Sequence, residues 1–283
     1  MEFNNTLNES RFFNLRTKTL AEIIFGIAVV ILVMIFGLSM SEDAYGVVFS
    51  ERSLAPSASH WFGTDWLGRD MLARTIRGMT TSIQIGLFAS LISSVIAIIL
   101  GTLAATKGKK TDGFILWLID LFQGKPHLIF LMFISILVGK GIKGILIGVA
   151  VTHWTSLARI VRAEILSLKT NQYILTAEKL GTGKFQIAVK HIIPHVMPQF
   201  FVGLILLFPH AILHEASLTF LGFGIPAEEP AIGVILSESM RYLTQGMWWL
   251  AVLPGLFLLF MVLIIDAIGN GLKKMLDPKT GQE

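Results

Sequence analysis

The sequence predicts an all-α integral membrane protein with about six transmembrane helices. The 283 residues are 53% hydrophobic and only 15% charged, and their mean hydropathy is +0.70. Soluble domains carry about 25% charged residues. The apolar residues fall in blocks of about 20, the length that a helix needs to cross roughly 30 Å of hydrocarbon. The sequence lacks the alternating ten-residue strands that a transmembrane barrel needs.

Six apolar runs are predicted to span the membrane. They cover residues 21–41, 83–105, 114–138, 142–158, 196–216 and 247–269. An even number of spans places both termini on one side, and the segments on that side hold about twice as many Lys and Arg residues as the others. The positive-inside rule therefore predicts a multi-pass protein of the cell membrane, with a cytoplasmic N-terminal segment 1–20 and a cytoplasmic tail 271–283.

The composition also excludes several classes of function. The chain has no cysteine, which rules out disulfides, thiolate metal sites and cysteine nucleophiles. The net charge of +4 comes from cations beside apolar blocks, so it does not indicate a nucleic-acid partner. The sequence contains neither a zincin H-E-x-x-H nor a G-x-S-x-G elbow. We therefore predict no catalytic residues, which argues against a membrane enzyme.

Residues 42–82 form a predicted extracytoplasmic segment around the motif GTDWLGRD. Thr64 or Asp65 is placed to cap a short helix, and Asp65, Arg69 and Asp70 can pair locally. A compact surface turn is favoured over direct contact with a substrate.

A second predicted extracytoplasmic loop covers residues 217–246 and opens with SLTFLGFG. Its apolar start predicts backbone that returns toward the membrane near a translocation pathway, because irregular backbone at that depth survives only inside protein or beside water.

The longest polar interval, residues 159–195, is predicted to lie in the cytoplasm as a basic loop. Asn171 or Thr170 can cap a helix that begins near Gln172, and Gly181 is placed to end it in the left-handed conformation. The predicted apolar face of this helix contains Ile174, Ala177 and Leu180, and that of a second helix over 184–193 contains Phe185, Val189 and Ile192. Lipid headgroups or the groove of a partner protein could cover the first helix.

Several motifs together resemble those of the dipeptide, oligopeptide and nickel permeases of ABC importers. HWFGTDWLGRDMLAR at 60–74 is similar to the family signature G-T-D-x-L-G-R-D, and ARIVRAEILSLK at 158–169, EASLTFLGFG at 215–224 and LKKMLDP at 272–278 are similar to its later blocks. The segment at 172–194 resembles the family's EAA loop, although Leu175 and Thr176 stand where the family has Glu and Ala. The sequence is identified as a second, C-type permease subunit.

The resemblance implies a type I ABC importer permease fold with a cytoplasmic coupling helix, in which residues 83–270 form a five-helix core. It implies a heterodimer with a second permease subunit, two cytoplasmic ATPase subunits, an extracytoplasmic substrate-binding protein and surrounding membrane lipid. The residues implied to couple to the ATPase are Tyr173, Thr176, Ala177, Leu180, Gly181 and Thr182. The chain has no P-loop, so ATP and Mg²⁺ would be used by the partner subunits and no cofactor is expected in this chain. The family leaves nickel, a metal chelate or short peptides as the cargo.

Polar residues inside the predicted spans are candidate pathway residues. His210 and His214 lie one helical turn apart with Glu215 adjacent, and this spacing suits transient metal ligation by imidazole. Packed, hydrogen-bonded histidines are the alternative interpretation. His127 and His153 could add transient sites, whereas His191 and His195 are assigned to packing. Asp266 and Asn270 are predicted to form a structural pair across one helical turn.

An ion-coupled secondary transporter that works without an ATPase is the alternative function. Such carriers commonly show internal repeats and buried carboxylate relays. The sequence shows no detectable halves and few carboxylates in its spans, which favours the ABC permease.

Overall fold

The computed structural model describes residues 6–276, with side chains described for residues 17–183 and 186–276. The predicted terminal segments therefore lie partly outside the described residues, at 1–5 and 277–283. Helices dominate the described range. They are α1 (Thr6–Ser39), α2 (Met71–Thr106), α3 (Lys109–Gln123), α4 (His127–Val138), α5 (Ile142–Lys169), α6 (Gln172–Lys179), α7 (Lys184–Ile187), α8 (Ile193–Phe220), α9 (Ile232–Leu243) and α10 (Trp249–Leu276).

The predicted all-α membrane fold is confirmed. Five helices are long and apolar enough to span a membrane, or six if the bent pair formed by α3 and α4 counts as one span. Several helices extend well beyond the predicted spans. Helix α2 has 36 residues and includes the run 71–82 that was assigned to the extracytoplasmic segment. At 1.5 Å per residue it is about 54 Å long, so it reaches beyond a hydrocarbon layer of roughly 30 Å.

The predicted third span, 114–138, is not one straight helix. Helices α3 and α4 meet at an angle of 97°, and residues 124–126 separate them. Pro126 lacks a backbone N–H and disfavours a helical conformation at Lys125, so the helix breaks there. With 15 and 12 residues, the two helices are about 22 and 18 Å long, and each alone is too short to cross the bilayer.

Two compact units divide the chain, and the first contains residues 1–84 and 215–283. In this unit α1 and α9 each pack against α10. A Cβ added at Gly26 or Gly271 would lie 2.8 or 2.9 Å from the side chain of an isoleucine on the facing helix. Small residues at such contacts let membrane helices approach closely.

The second unit contains residues 85–214 and is built around α5. Its apolar core includes Trp154, Val161 and Ile165 of this helix. Helices α3 and α4 also pack on α5. The Ser93 hydroxyl of α2 donates a 2.7 Å hydrogen bond to the Ala150 carbonyl.

The predicted basic loop at 159–195 begins later than its polar composition suggests, because α5 continues to Lys169. Two of its cations form ion pairs with carboxylates of α3 in the same unit. Arg162 forms a bidentate ion pair with Asp112, in which one N–O distance is 2.6 Å. Arg159 forms an ion pair with Asp120. Lys169 donates a 2.7 Å hydrogen bond to the Ala105 carbonyl at the end of α2. These cations therefore fasten α5 to neighbouring helices, and the non-helical connection after α5 is short.

Candidate functional site

Helix α6 is a short helix held to the second unit by one buried side chain. Ile174 is 1% exposed and belongs to the core of that unit, together with Leu168 and Ile187. The helix begins at Gln172, as predicted, and Asn171 is its N-cap residue, but the Asn171 side chain makes no capping hydrogen bond.

The end of α6 has the geometry predicted at Gly181. The Gly181 φ angle is +82°, a left-handed conformation that glycine adopts without steric cost. The Thr182 N–H donates to the Ala177 carbonyl at 3.0 Å, and the Gly181 N–H donates to the Glu178 carbonyl at 3.0 Å. These two bonds form a Schellman motif, which satisfies carbonyls that the end of a helix leaves unpaired.

Most apolar side chains of this segment lie on the surface of the described chain. Tyr173 is 50% exposed, Leu175 is 44% exposed and Leu180 is 80% exposed. The predicted apolar face of Ile174, Ala177 and Leu180 is thus packed at Ile174, half-buried at Ala177 and open at Leu180. The Thr176 hydroxyl donates to the Gln172 carbonyl one turn earlier, at 2.8 Å.

The helical segment after α6 buries a face that differs in part from the predicted one. A π-helical turn, Ala188–Ile192, joins α7 to α8, so Pro194 lies inside a continuous helical run. In a π-helix, hydrogen bonds join residues five apart, which brings Ile187 and Ile192 to one face. Both are buried, whereas Val189 is 45% exposed. The side chain of Phe185 lies outside the described residues.

A cluster of three histidines lies within the second unit, and we call it the histidine cluster. His127 begins α4, His153 lies in the middle of α5 and His214 lies on α8. One ring nitrogen from each residue lies within 4.8 Å of the other two. The ring centroids are 4.7, 4.7 and 4.9 Å apart, and all three residues are half-buried.

The other two predicted pathway residues, His210 and Glu215, are not members of this cluster. His210 is exposed and is not part of the three-histidine group, although it lies one turn before His214 on α8. Glu215 is fully buried in the other unit, where its carboxylate accepts a 2.9 Å hydrogen bond from the Thr219 hydroxyl. His214 lies beside His127 and His153, the two histidines that the sequence indicates as further transient sites.

The remaining predicted polar pairs are accounted for locally. The Asn270 amide donates a 2.8 Å hydrogen bond to Asp266, which confirms that pair. His191 contacts the ring of Tyr173, with centroids 5.8 Å apart. His195 is exposed rather than packed, and its ring lies 3.7 Å from the Glu164 carboxylate.

A network of four charged side chains organises the GTDWLGRD motif in the first unit. Asp65 is fully buried and accepts contacts of 2.6 Å from Arg69 and 2.9 Å from Arg74. Glu238 of α9 contacts the same two arginines at 3.3 and 3.0 Å. The predicted Asp65–Arg69 pair is confirmed. Arg74 and Glu238 were not predicted, because nothing in the sequence indicates that α9 lies beside the motif.

Asp70 caps α2, and the sequence had suggested Thr64 or Asp65 for a capping role. The Asp70 carboxylate accepts a 2.9 Å hydrogen bond from the Ala73 N–H and a 2.8 Å contact from the His60 ring. Asp65 instead accepts from the N–H groups of Leu67 and Arg69 and so stabilises its own turn. The motif is therefore a folded turn that begins a long helix.

Comparison with known proteins decides the family. Residues 97–282 match the family model described as "Binding-protein-dependent transport system inner membrane component". The chain is 36% identical over 230 residues to the dipeptide transport system permease protein DppC of Bacillus subtilis, covering 81% of this chain and 72% of that one. It is 34% identical over 254 residues to the oligopeptide permease OppC of the same organism, covering 89% and 83%.

The chain belongs to this family. It is an ABC importer permease of the dipeptide and oligopeptide type, and this membership overturns the alternative of a secondary transporter. The fold of this permease is also similar to a solved structure of the MetNI methionine ABC transporter in an inward-facing conformation, with a TM-score of 0.55 and 18% sequence identity. That match covers 71% of this chain and 97% of the other. The type I importer permease fold is therefore confirmed.

Proposed function

We propose that this permease forms half of the translocation pathway of an ATP-driven importer of short peptides. The cargo is supported by its relatives, which are named as dipeptide, oligopeptide and peptide permeases. A second permease subunit supplies the other half of the pathway, and an extracytoplasmic binding protein delivers the cargo. Two cytoplasmic ATPase subunits use ATP and Mg²⁺, because this chain contains no P-loop.

The observation that carries this proposal is the form of α6. The Schellman motif ends its backbone, and Ile174 is the one buried side chain in the described range 172–179. Tyr173 and Leu175 of α6 and Leu180 at its end are exposed. An apolar helix face that a groove can accept is a common mode of protein recognition. In the proposed assembly α6 occupies a groove of the ATPase in the cytoplasm. Movement of the ATPase is then transmitted through Ile174 into the core around α5.

A metal ion, nickel included, or a metal chelate is a second candidate cargo. The histidine cluster favours it, because imidazole nitrogen suits nickel, zinc, copper and iron. Its support is the convergence of three imidazole rings in the second unit.

The test uses the complete importer in proteoliposomes. Wild-type complex with its binding protein is expected to take up labelled di- to pentapeptides only when ATP is present. Leu180→Ala is expected to lower this uptake by roughly tenfold, the effect of losing about 1.4 kcal/mol at a binding hot spot. ATPase activity and retention of the ATPase subunits on purification are measured on the same samples.

Leu259→Ala is the matched control, because Leu259 is 52% exposed on α10, in the other unit. Its uptake is expected to equal that of the wild type. Equal uptake by both variants and the wild type would exclude the coupling role of Leu180. A wild-type complex that hydrolyses ATP but accepts no peptide would exclude the peptide cargo.

A further inference from the structure

The arrangement of the histidine cluster differs from ordinary packing of aromatic rings. Its three imidazoles come from α4, α5 and α8, and their ligand nitrogens converge within 4.8 Å. Among the residues that the structure describes, no hydrogen bond joins any two of these rings. Rings placed here only to satisfy one another would be hydrogen-bonded, since buried polar atoms rarely lack a partner.

Burial and hydrogen bonding constrain the ring nitrogens of two members of the cluster. The Nδ1–H of His153 donates a 3.0 Å hydrogen bond to the Val149 carbonyl one turn earlier on α5. This bond fixes the tautomer, so the lone pair of His153 is on Nε2. The Nε2 of His127 is buried and has no hydrogen-bond partner among the residues that the structure describes. A backbone carbonyl that orients the second ring nitrogen is the usual support of a metal-ligating histidine.

We propose that His127, His153 and His214 bind a divalent first-row transition-metal cation. Metal–imidazole bonds are about 2.0–2.1 Å long, so ligand nitrogens in a tetrahedral site lie roughly 3.3 Å apart. Small side-chain rotations close the cluster from its limit of 4.8 Å to this spacing. Three imidazoles leave the fourth position open, as in zinc sites that bind water or substrate.

The donor set also restricts which cations bind. The chain offers no thiolate, and imidazole nitrogen favours nickel, copper, zinc and cobalt over magnesium or calcium. An open fourth position lets the ion leave, or lets it bind while it is still held by a chelating molecule such as a peptide. As a statement about cargo this inference rests on the proposed importer function, whereas metal binding by the cluster does not.

The experiment measures metal bound to the full-length permease, purified with its partner subunits and an affinity tag free of histidine. After chelator treatment and dialysis, Ni²⁺ or Zn²⁺ is added, excess is removed by gel filtration, and bound metal is measured by mass spectrometry. The wild type is expected to retain about one ion per permease chain. His127→Ala, His153→Ala and His214→Ala are each expected to weaken binding by more than the roughly 10–100-fold that is typical when a residue hydrogen-bonded to a metal ligand is replaced.

Two other histidines of α8, the helix that carries His214, serve as controls. His210→Ala tests the alternative ligand pair suggested by the sequence, and His195→Ala tests an exposed histidine outside both sets. Both are expected to retain wild-type binding. The proposal fails if the wild type retains no metal, or if His210→Ala abolishes binding while His127→Ala and His153→Ala do not.

A second measurement needs no substitution and so does not depend on the folding of a variant. Zn²⁺ is expected to protect His127, His153 and His214 of the wild-type protein from diethyl pyrocarbonate, while His195 is modified equally with and without Zn²⁺. Equal modification of the three with and without Zn²⁺ would overturn the site. Uptake of metal-free peptide by the same preparation tests the importer function separately, so failure of one result does not imply failure of the other.

Discussion

At the residue scale, Asp65 is a buried carboxylate that pairs with two arginines. It is fully buried, and two arginines and two backbone N–H groups donate to it. We expect Asp65→Asn to destabilise the protein by about 3–5 kcal/mol, because removal of one partner leaves buried charge without compensation. Thermal unfolding of the purified permease, followed by tryptophan fluorescence, should show a lower midpoint than the wild type.

The control for Asp65 is a carboxylate in an exposed ion pair. Asp120 pairs with Arg159, and their side chains are 67% and 47% exposed. Asp120→Asn should change stability by no more than about 1 kcal/mol, as is typical of exposed pairs. Similar losses in midpoint for Asp65→Asn and Asp120→Asn would show that burial of the four-charge network is not what stabilises the motif.

Local chemistry explains which residue-scale predictions agree with the structure. Gly181 ends α6 in the left-handed conformation, and Asp266 pairs with Asn270, because both features depend on residues within one or two helical turns. The capping of α2 by Asp70 is also local, but three neighbouring side chains compete for that role. In the folded turn the Asp65 carboxylate accepts hydrogen bonds from backbone N–H groups of its own loop and from the arginines, and Asp70 caps α2. The sequence alone does not indicate this division.

At the element scale, α6 depends on the conformation of the residue that ends it. Gly181→Ala keeps the space around the residue open but places a Cβ at φ +82°, which costs about 1–2 kcal/mol. We expect the last turn of α6 to fray and ATP-driven uptake to fall, with assembly of the complex retained. Hydrogen exchange over residues 176–182 should increase in the variant.

Gly183→Ala is the matched control for this effect. Gly183 lies two residues further on, has no close neighbours and does not have a positive φ angle. Uptake and hydrogen exchange should match the wild type. If Gly183→Ala lowered uptake as much as Gly181→Ala does, the small size of the glycines would matter more than the left-handed conformation of Gly181.

The segment after α6 shows why the buried face of a helix is harder to predict than the presence of the helix. A helix near 184–193 follows from the sequence, and helical residues are found there. The predicted apolar face assumes 3.6 residues per turn, and of its residues Ile192 is buried as predicted. The π-helical turn places Ile187 on the buried face and leaves Val189 exposed. π-helical turns are rare and occur mostly as single turns inside α-helices, so a pattern of 3.6 residues per turn does not predict this one.

At the scale of the whole molecule, composition and run length predicted the fold class, because a bilayer imposes helices of about 20 apolar residues. They did not predict that α3 and α4 meet at an angle of 97°, although Pro126, which lies between them, is a residue that breaks helices. The histidine cluster was foreseen only as separate residues. Its convergence depends on how α4, α5 and α8 pack, and helical periodicity within one segment carries no information about that packing.

The orientation of the chain in the membrane can be tested with single cysteines, because the sequence contains none of its own. Single cysteines are introduced at two exposed positions, Lys179→Cys beside the end of α6 and Ser57→Cys in the segment before α2. The excess of Lys and Arg around α6 predicts that residue 179 faces the cytoplasm and residue 57 the outside. A membrane-impermeant maleimide should therefore label only Ser57→Cys in intact cells, and Lys179→Cys only after the membrane is opened or inverted. Labelling of Lys179→Cys in intact cells would place α6 where no cytoplasmic ATPase can reach it, and the proposed coupling role would then be wrong.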